Sequence, residues 1–372
     1  QNNQATAKFV HALFHHASNE VIYQTLLHTH GYKAKRLPEF HCEFCALANS
    51  RRRGLKHKPV HSTQVLTMLD EADYNDHDPL SDSSDEEFNP DDVIVAMDDN
   101  IVFSREKTIQ MPRFDIDELR PFEVMMCDNK DFPVKVRGGY KVAFLLIDVK
   151  TQRKFVIKLD RKVHNHKAMN EIIATTGCHK LPYACTLYSD GCGSMKDVRE
   201  LVMRFGIAHT FIPPHKQSLN EAEKVVDRVW AAARTDMLAS RDKGCPIELF
   251  GDCVEMVIYT DQYMATNVVR GYLSPIELET GKQPCIHHLV PWWTECHVTI
   301  PKDKRKKLKK QGEVLLTGEP GHVIGFQSPN SKVYKVCLSG NRIIHSMDVT
   351  FNFETLNDTT NLIADQHVTF DL

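Results

Sequence analysis

The feature that most constrains the fold is a change of rhythm at Pro121, where short β-rich runs begin to alternate with amphipathic helical stretches. Phe122 to Cys127, Tyr140 to Val149 and Lys154 to Leu159 are separated by Gly138-Gly139 and Thr151-Gln152, and they read as three successive strands. An amphipathic stretch from His164 to Thr175 precedes a fourth strand, Tyr183 to Tyr188. Ser194-Met195-Lys196-Asp197 has the spacing of a capping box, Val198, Leu201, Val202 and Phe205 follow at helical intervals, and Gly206 supplies the stop. Ile207 to Ile212 is a fifth strand. Ser218-Leu219-Asn220-Glu221 then reads as a second capping box, opening a long helix with Ala222, Val225, Val226, Val229, Ala233 and Met237 on one face.

Three strands, a helix, a strand, a helix, a strand and a helix is the order of an RNase H-like α/β domain, in which the first and fourth strands are neighbours. A further helical stretch covers Leu249 to Met264, and Ser274-Pro275 punctuates it. Glu295 to Ile300, His322 to Phe326, Val333 to Leu338 and Arg342 to His345 then read as short strands of a small antiparallel barrel.

The formal net charge of -3 conceals a segregation. Between Asp70 and Asp99 lie 13 acidic residues and no Lys or Arg, leaving 46 basic against 36 acidic residues elsewhere. Residues 61 to 118 therefore read as an acidic, self-repelling linker. The basic remainder is concentrated at Arg51-Arg52-Arg53 and at Lys302, Lys304, Arg305, Lys306, Lys307, Lys309 and Lys310. A single such run is often a solvated face, but two on one chain favour a polyanionic partner. The longest apolar stretch, Val142 to Ile147, is far too short to span a bilayer, so no membrane partner is expected. The chain opens Gln1-Asn2-Asn3-Gln4 without a basic-then-apolar leader, so no secretion signal is expected.

Two constellations carry chemistry. His11 and His16, followed by Cys42 and Cys45, give His-x4-His and Cys-x2-Cys, a mixture of nitrogen and sulfur ligands that suits a tetrahedral Zn2+. His15 is an equally good partner for His11 by helical spacing, so the sequence leaves the second histidine open. The other constellation is Asp128, at the end of the first strand, Asp190, at the end of the fourth, and Glu223, in the first turn of the long helix. Two carboxylates on neighbouring strands and a third from a helix across them make an oxygen-rich site for two Mg2+ (or Mn2+), suited to phosphoryl transfer. Acids at strand ends also serve as turn caps. Glu221 competes for the third place, but as the last residue of the capping box it has a local task, which leaves Glu223 for the metal.

These residues resemble the integrase region of a copia-type LTR retrotransposon polyprotein over about residues 8 to 355. The likeness is carried by the His/Cys pattern with Cys42-Glu43-Phe44-Cys45-Ala46-Leu47, then Cys127-Asp128, Phe144-Leu145-Leu146-Ile147-Asp148 and Tyr188-Ser189-Asp190. Phe205-Gly206-Ile207-Ala208-His209 and Asn220-Glu221-Ala222-Glu223 continue it, followed downstream by Ser274 to Pro284, His288-Leu289 and Asp348-Val349-Thr350-Phe351. Departures are Gly191 after Asp190, where the family usually has Asn, and a span of 32 residues between Asp190 and Glu223, shorter than is common.

The resemblance implies an HHCC zinc module at 1–60, the linker at 61–118, a DDE integrase core at 119–270, a connector and SH3-like barrel at 271–355, and a tail. It implies a polynucleotidyl transferase that joins the 3' ends of element cDNA to target DNA, with Asp128, Asp190 and Glu223 catalytic and Lys224, Arg228 and the basic run from Lys302 on phosphates. A homo-oligomer in the nucleus, or in cytoplasmic virus-like particles, is the expected setting. The alternative is an inert core in a nucleic-acid-binding protein derived from an integrase.

Overall fold

The computed structural model describes residues 2–29, 36–38, 40–50, 114–191, 193–212, 220–300 and 317–351. The linker up to residue 113, both basic runs and the tail lie outside the described residues, while 114–118, the end of the expected linker, are described. At the centre is a sheet of β1 (Val124–Asp131), β2 (Val142–Asp148), β3 (Lys154–Leu159), β4 (Thr186–Asp190) and β5 (Ala208–Ile212), in the order β3-β2-β1-β4-β5. The first three strands are antiparallel, and β4 and β5 add parallel to β1. The first and fourth strands are thus neighbours, as the sequence predicts.

Strand parity decides what faces what. Met125 and Cys127 of β1, with Phe144 and Leu146 of β2, pack against Met169, Ile172 and Ile173 of α4 (Asn165–Thr176) and Val198 and Val202 of α5 (Lys196–Arg204). Val124 and Met126, with Leu145 and Ile147, face Val225, Val226 and Val229 of α6 (Glu221–Arg241) and Val254 and Val257 of α7 (Phe250–Asp261). Every residue of β2 is buried, which explains its unbroken apolar run between two helical layers.

Three local expectations change. β1 continues three residues beyond Asp128 because Lys130 and Asp131 still pair with Ala143 and Val142. The Ser194 box does not form: Gly193–Met195 is a tight 3-10 turn, Met195 precedes α5 without a side-chain cap, and the Ser194 hydroxyl accepts from Asn165. At α6 the cap is Asn220, whose side chain accepts from the Ala222 amide, so Glu221 is the first helical residue and Glu223 the third.

After α8 (Pro275–Thr280) comes a second sheet of β6 (Glu295–Thr299), β7 (Gly318–Phe326), β8 (Tyr334–Leu338), β9 (Arg342–Ser346) and β10 (Val349–Phe351), ordered β10-β6-β7-β8-β9. It is an open antiparallel sheet among the described residues, not the barrel expected. Val323, Ile324 and Val336 are buried in the same core as Val254, Met256 and Val257 of α7. The apolar face that a barrel would close over is thus covered by a helix.

At the N-terminus, α1 (Asn2–Leu13) and α2 (Asn19–Leu27) bury Val10, Phe14 and Ile22 against Tyr259, Tyr263, Ile286, Leu289 and Phe326. The Thr25 hydroxyl accepts from the Ala265 amide at 2.8 Å. The His/Cys segment, completed by α3 (Glu43–Ser50), therefore shares a core with α7 and the second sheet. No described helix is long and apolar enough to cross a membrane.

Candidate active site and metal centre

Register and parity bring Asp128 and Asp190 together. Met126 of β1 pairs with Tyr188 of the parallel β4. Two residues further along each strand are Asp128 and Asp190, on the face that carries Met126 and Tyr188 and packs against α6. Side chains so placed on neighbouring strands lie roughly 5 Å apart at their bases. The start of α6 is pinned over the same spot, with the Asn220 amide donating to the Cys127 carbonyl at 3.3 Å and the Glu221 amide meeting the Met126 sulfur at 3.3 Å. Glu223, exposed in the first turn of α6, is within electrostatic reach of Asp128. The helix N-terminus favours negative charge there.

Burial, then the charges of Asp190 and Glu223, push the Asp128 carboxyl up to about 6, against an amide bond from Asn129 at 2.7 Å that pulls it down. One buried oxygen of Asp190, Oδ1, has no hydrogen-bond partner. A buried carboxylate oxygen with no donor, beside a carboxyl that resists ionisation, is suited to coordinating a cation, so the residues fit a divalent metal. The three carboxylates do not form as tight a cluster as the His/Cys donors described below.

The raised value fixes a sign. Asp128 favours the folded state while it is neutral, so this contribution is present below the ordinary carboxylate range and is lost as pH rises through about 6. Asp128→Asn is neutral at every pH. It is expected to raise the melting temperature of the metal-free protein by a few degrees above about pH 7, and to leave it unchanged below about pH 3. Scanning calorimetry at both ends of that range checks this, and a variant no more stable than the parent at neutral pH would remove the charge clash.

Glu221 has a different task from the one expected. Without Ser218 as the cap it is not the closing residue of a capping box, and its carboxylate instead accepts from Gln152 at 3.0 Å. Glu221 is therefore held toward the β2–β3 turn. Asp148, prominent in the sequence motif, is fully buried and accepts from the Phe122 and Thr151 amides and the Thr151 hydroxyl. It fixes a turn. Of the expected phosphate contacts, Lys224 is exposed, while Arg228 lies 3.5 Å from Asp261.

The second centre is drawn tighter. The donor atoms of His11, His16, Cys42 and Cys45 all lie within 4.8 Å of one another. His11 Nε2 is 3.2 Å from Cys45 Sγ, and His16 Nδ1 is 3.4 Å from Cys42 Sγ. Bonds of roughly 2.0 Å to nitrogen and 2.3 Å to sulfur in a tetrahedron require edges of about that length, so the quartet fits Zn2+. Burial lowers His11 to about 4 and lowers His16 as well, which keeps both imidazoles neutral and ready to ligate. Burial and the neighbouring Cys42 push the Cys45 thiol up to about 12, a cost that a bound dication offsets by holding the thiolate.

Of the two histidines, it is His16 whose ring lies with His11, Cys42 and Cys45, while His15 turns to Asp236 of α6. Asp236 and Gln152 were not singled out from sequence. Asp236 did leave a signal, as a lone acid in the apolar stripe between Ala233 and Met237. A cleft of about 490 Å³ lies along the edge strand β3, lined by Lys154, Phe155, Tyr259 and Phe326, and contains none of the three carboxylates.

No protein-family model and no curated protein matches the chain. Similar solved structures are of retroviral integrases. A chain of the simian T-cell lymphotropic virus intasome in complex with PP2A regulatory subunit B56 gamma matches at TM-score 0.36 and 13% identity, covering 65% of this chain and 83% of that one. The HTLV-2 integrase catalytic core domain in complex with magnesium, in its trimeric form, matches at TM-score 0.33 and 12% identity, over 43% of this chain and 98% of that one. The BIV integrase catalytic core domain matches at TM-score 0.31 and 12% identity, over 43% of this chain and 95% of that one.

Proposed function

We propose that the protein is a DNA strand transferase of the integrase type, organised as a copia-type element's integrase region: zinc module, acidic linker, catalytic core, connector with second sheet, and tail. The observation that carries this reading is the convergence of Asp128 and Asp190, two residues beyond a paired Met126 and Tyr188, beneath the helix start that bears Glu223. Asp128, Asp190 and Glu223 would hold Mg2+ or Mn2+, which supplies activation of a 3'-hydroxyl and charge stabilisation for in-line attack on a phosphodiester. The chain's own residues do the positioning. The β1–β4 register sets the spacing of the aspartates, Asn220 anchors α6 on β1, and Gln152 keeps Glu221 to the side. His11, His16, Cys42 and Cys45 would hold Zn2+ and so order the N-terminal module.

A joining assay with a duplex carrying the element's ends and a target duplex tests the reading. Strand transfer that needs divalent metal and disappears in Asp190→Asn is the expected result. Binding of DNA by wild-type protein without cutting or joining in Mg2+ and Mn2+ would favour the inert-core alternative, and cutting without joining would point to a nuclease.

Lys224, Arg228 and the run Lys302 to Lys310 are proposed to grip phosphates. Neutralising four lysines of that run is expected to lower the slope of log K against log salt by roughly three to four units, since each phosphate contact contributes about 0.9. A DNA titration across salt concentrations reads this directly, and an unchanged slope would return the run to a solvated surface.

A further inference from the structure

We propose that Asp236 of α6 is the carboxylate that stands behind the His11/His16/Cys42/Cys45 site: it holds the turn that aims His16 at the metal, and so ties the zinc module to the helix that carries Glu223. The inference rests on the zinc assignment above.

The turn itself is the first observation. His15 and His16 are consecutive and both left-handed, at φ 49° and 61°. Each such non-glycine residue costs roughly 1 to 3 kcal/mol and persists only where its surroundings enforce it. Asp236 is placed to enforce it with both oxygens. Its Oδ2 bonds His15 Nδ1, and its Oδ1 lies 3.6 Å from His16 Nε2. All three side chains are more than nine-tenths buried, at 2%, 7% and 3% exposed for His15, His16 and Asp236.

The second observation is the direction of the His16 ring. Its Nδ1 faces Cys42 Sγ and its Nε2 faces the carboxylate. A metal-bound imidazole commonly gives its remaining N–H to a carboxylate, which fixes the tautomer and orients the ring. His16 Nε2 has no hydrogen-bond partner as the side chains stand, and Asp236 Oδ1 is the acceptor a small closure would bring to it. The charge of Asp236 is also felt at His11 and Cys45.

The third observation is what Asp236 costs where it stands. It sits in the packed stripe of α6, with the Cys253 thiol 4.0 Å from Oδ2. A buried acid on such a face is expensive unless it is paired, and beyond that weak thiol donor its imidazole partners, His15 and His16, come from the N-terminal segment. Asp236 lies 13 residues beyond Glu223 on the same helix, roughly 20 Å along its axis. The zinc site therefore grips the same rigid element that presents Glu223.

The test uses the full chain and measures zinc affinity by competition with a chromophoric chelator, together with the visible absorption of the Co2+-substituted protein. Asp236→Asn is expected to weaken zinc by roughly 10- to 100-fold and to shift the Co2+ bands, because the ligand field at His16 changes. Ser240→Ala is the control. It removes a buried hydroxyl that bonds the Asp236 carbonyl and accepts from Trp292, without touching the histidines, and should keep wild-type affinity and spectrum. Should Asp236→Asn fail to fold, His15→Asn breaks the same contact from the other side and should weaken zinc in the same sense. Wild-type affinity in the Asp236 or His15 variant overturns the proposal, as does an equal loss in Ser240→Ala. A wild-type protein that takes up no zinc overturns the zinc assignment itself and this inference with it.

Discussion

Glu223→Gln is expected to lower the joining rate by roughly a thousandfold or more while leaving the melting temperature within a degree or two. Glutamine keeps the shape of the side chain but removes the charge that would hold a metal. If that ligand contributes about 4 kcal/mol of transition-state stabilisation, the loss at 1.36 kcal/mol per factor of ten is near three orders of magnitude. Stability should change little because Glu223 is exposed and is not the capping side chain; Asn220 is. Glu221→Gln should retain most of the activity. Its carboxylate is engaged with Gln152, an amide that can equally bond another amide, and it lies about 200° around the helix from Glu223. Joining rates and melting temperatures of both variants decide the matter. An active Glu223→Gln beside a dead Glu221→Gln would reverse the assignment.

The preference for Glu223 in sequence rests on a cap at Ser218, and the structure places the cap at Asn220 instead. Ser-Leu-Asn-Glu fits a capping box, but Asn220 within it also caps well, and one sequence offers no rule for choosing between overlapping caps. The structure moves the helix start by two residues, which puts Glu223, not Glu221, third in the helix. What separates the two acids is Gln152 in a distant turn, and no local pattern encodes that contact. The central sheet was more legible. β3 was read to the residue, and seven consecutive apolar or acidic residues of β2 announced burial on both faces. The second sheet was read correctly as short strands and wrongly as a closed barrel, because closure depends on what covers the apolar face. Here Val254, Met256 and Val257 of α7 cover it, and periodicity within the strands cannot report a helix elsewhere in the chain. His15 against His16 is the same lesson on a smaller scale. Spacing made them equivalent, and a backbone turn with an acid on another helix distinguishes them.

The largest effect on stability is expected from the His/Cys centre. Cys42→Ser, or removal of the ion by a chelator, should abolish zinc binding, and folding of comparable small zinc sites draws about 10 to 16 kcal/mol from the metal. Burial and the neighbouring Cys42 work against the Cys45 thiolate, a cost the bound metal would offset. The loss should not stop at residue 50. Val10, Phe14 and Ile22 cover Tyr259, Tyr263, Ile286 and Leu289, so melting the N-terminal segment uncovers one side of α7 and the segment beyond it. Exposing the equivalent of one large apolar side chain costs ~2 kcal/mol, which in a domain of this size lowers the melting temperature by roughly 4 to 8 °C. The expected result is therefore a chain without zinc, with fewer helical amides protected from hydrogen exchange before residue 50, and a central sheet that melts several degrees earlier. Hydrogen exchange and elemental analysis on wild type and Cys42→Ser distinguish the two levels. Equal zinc content in the two proteins would refute the ligand assignment. An unchanged melting temperature of the sheet would show that the shared apolar core contributes nothing to its stability.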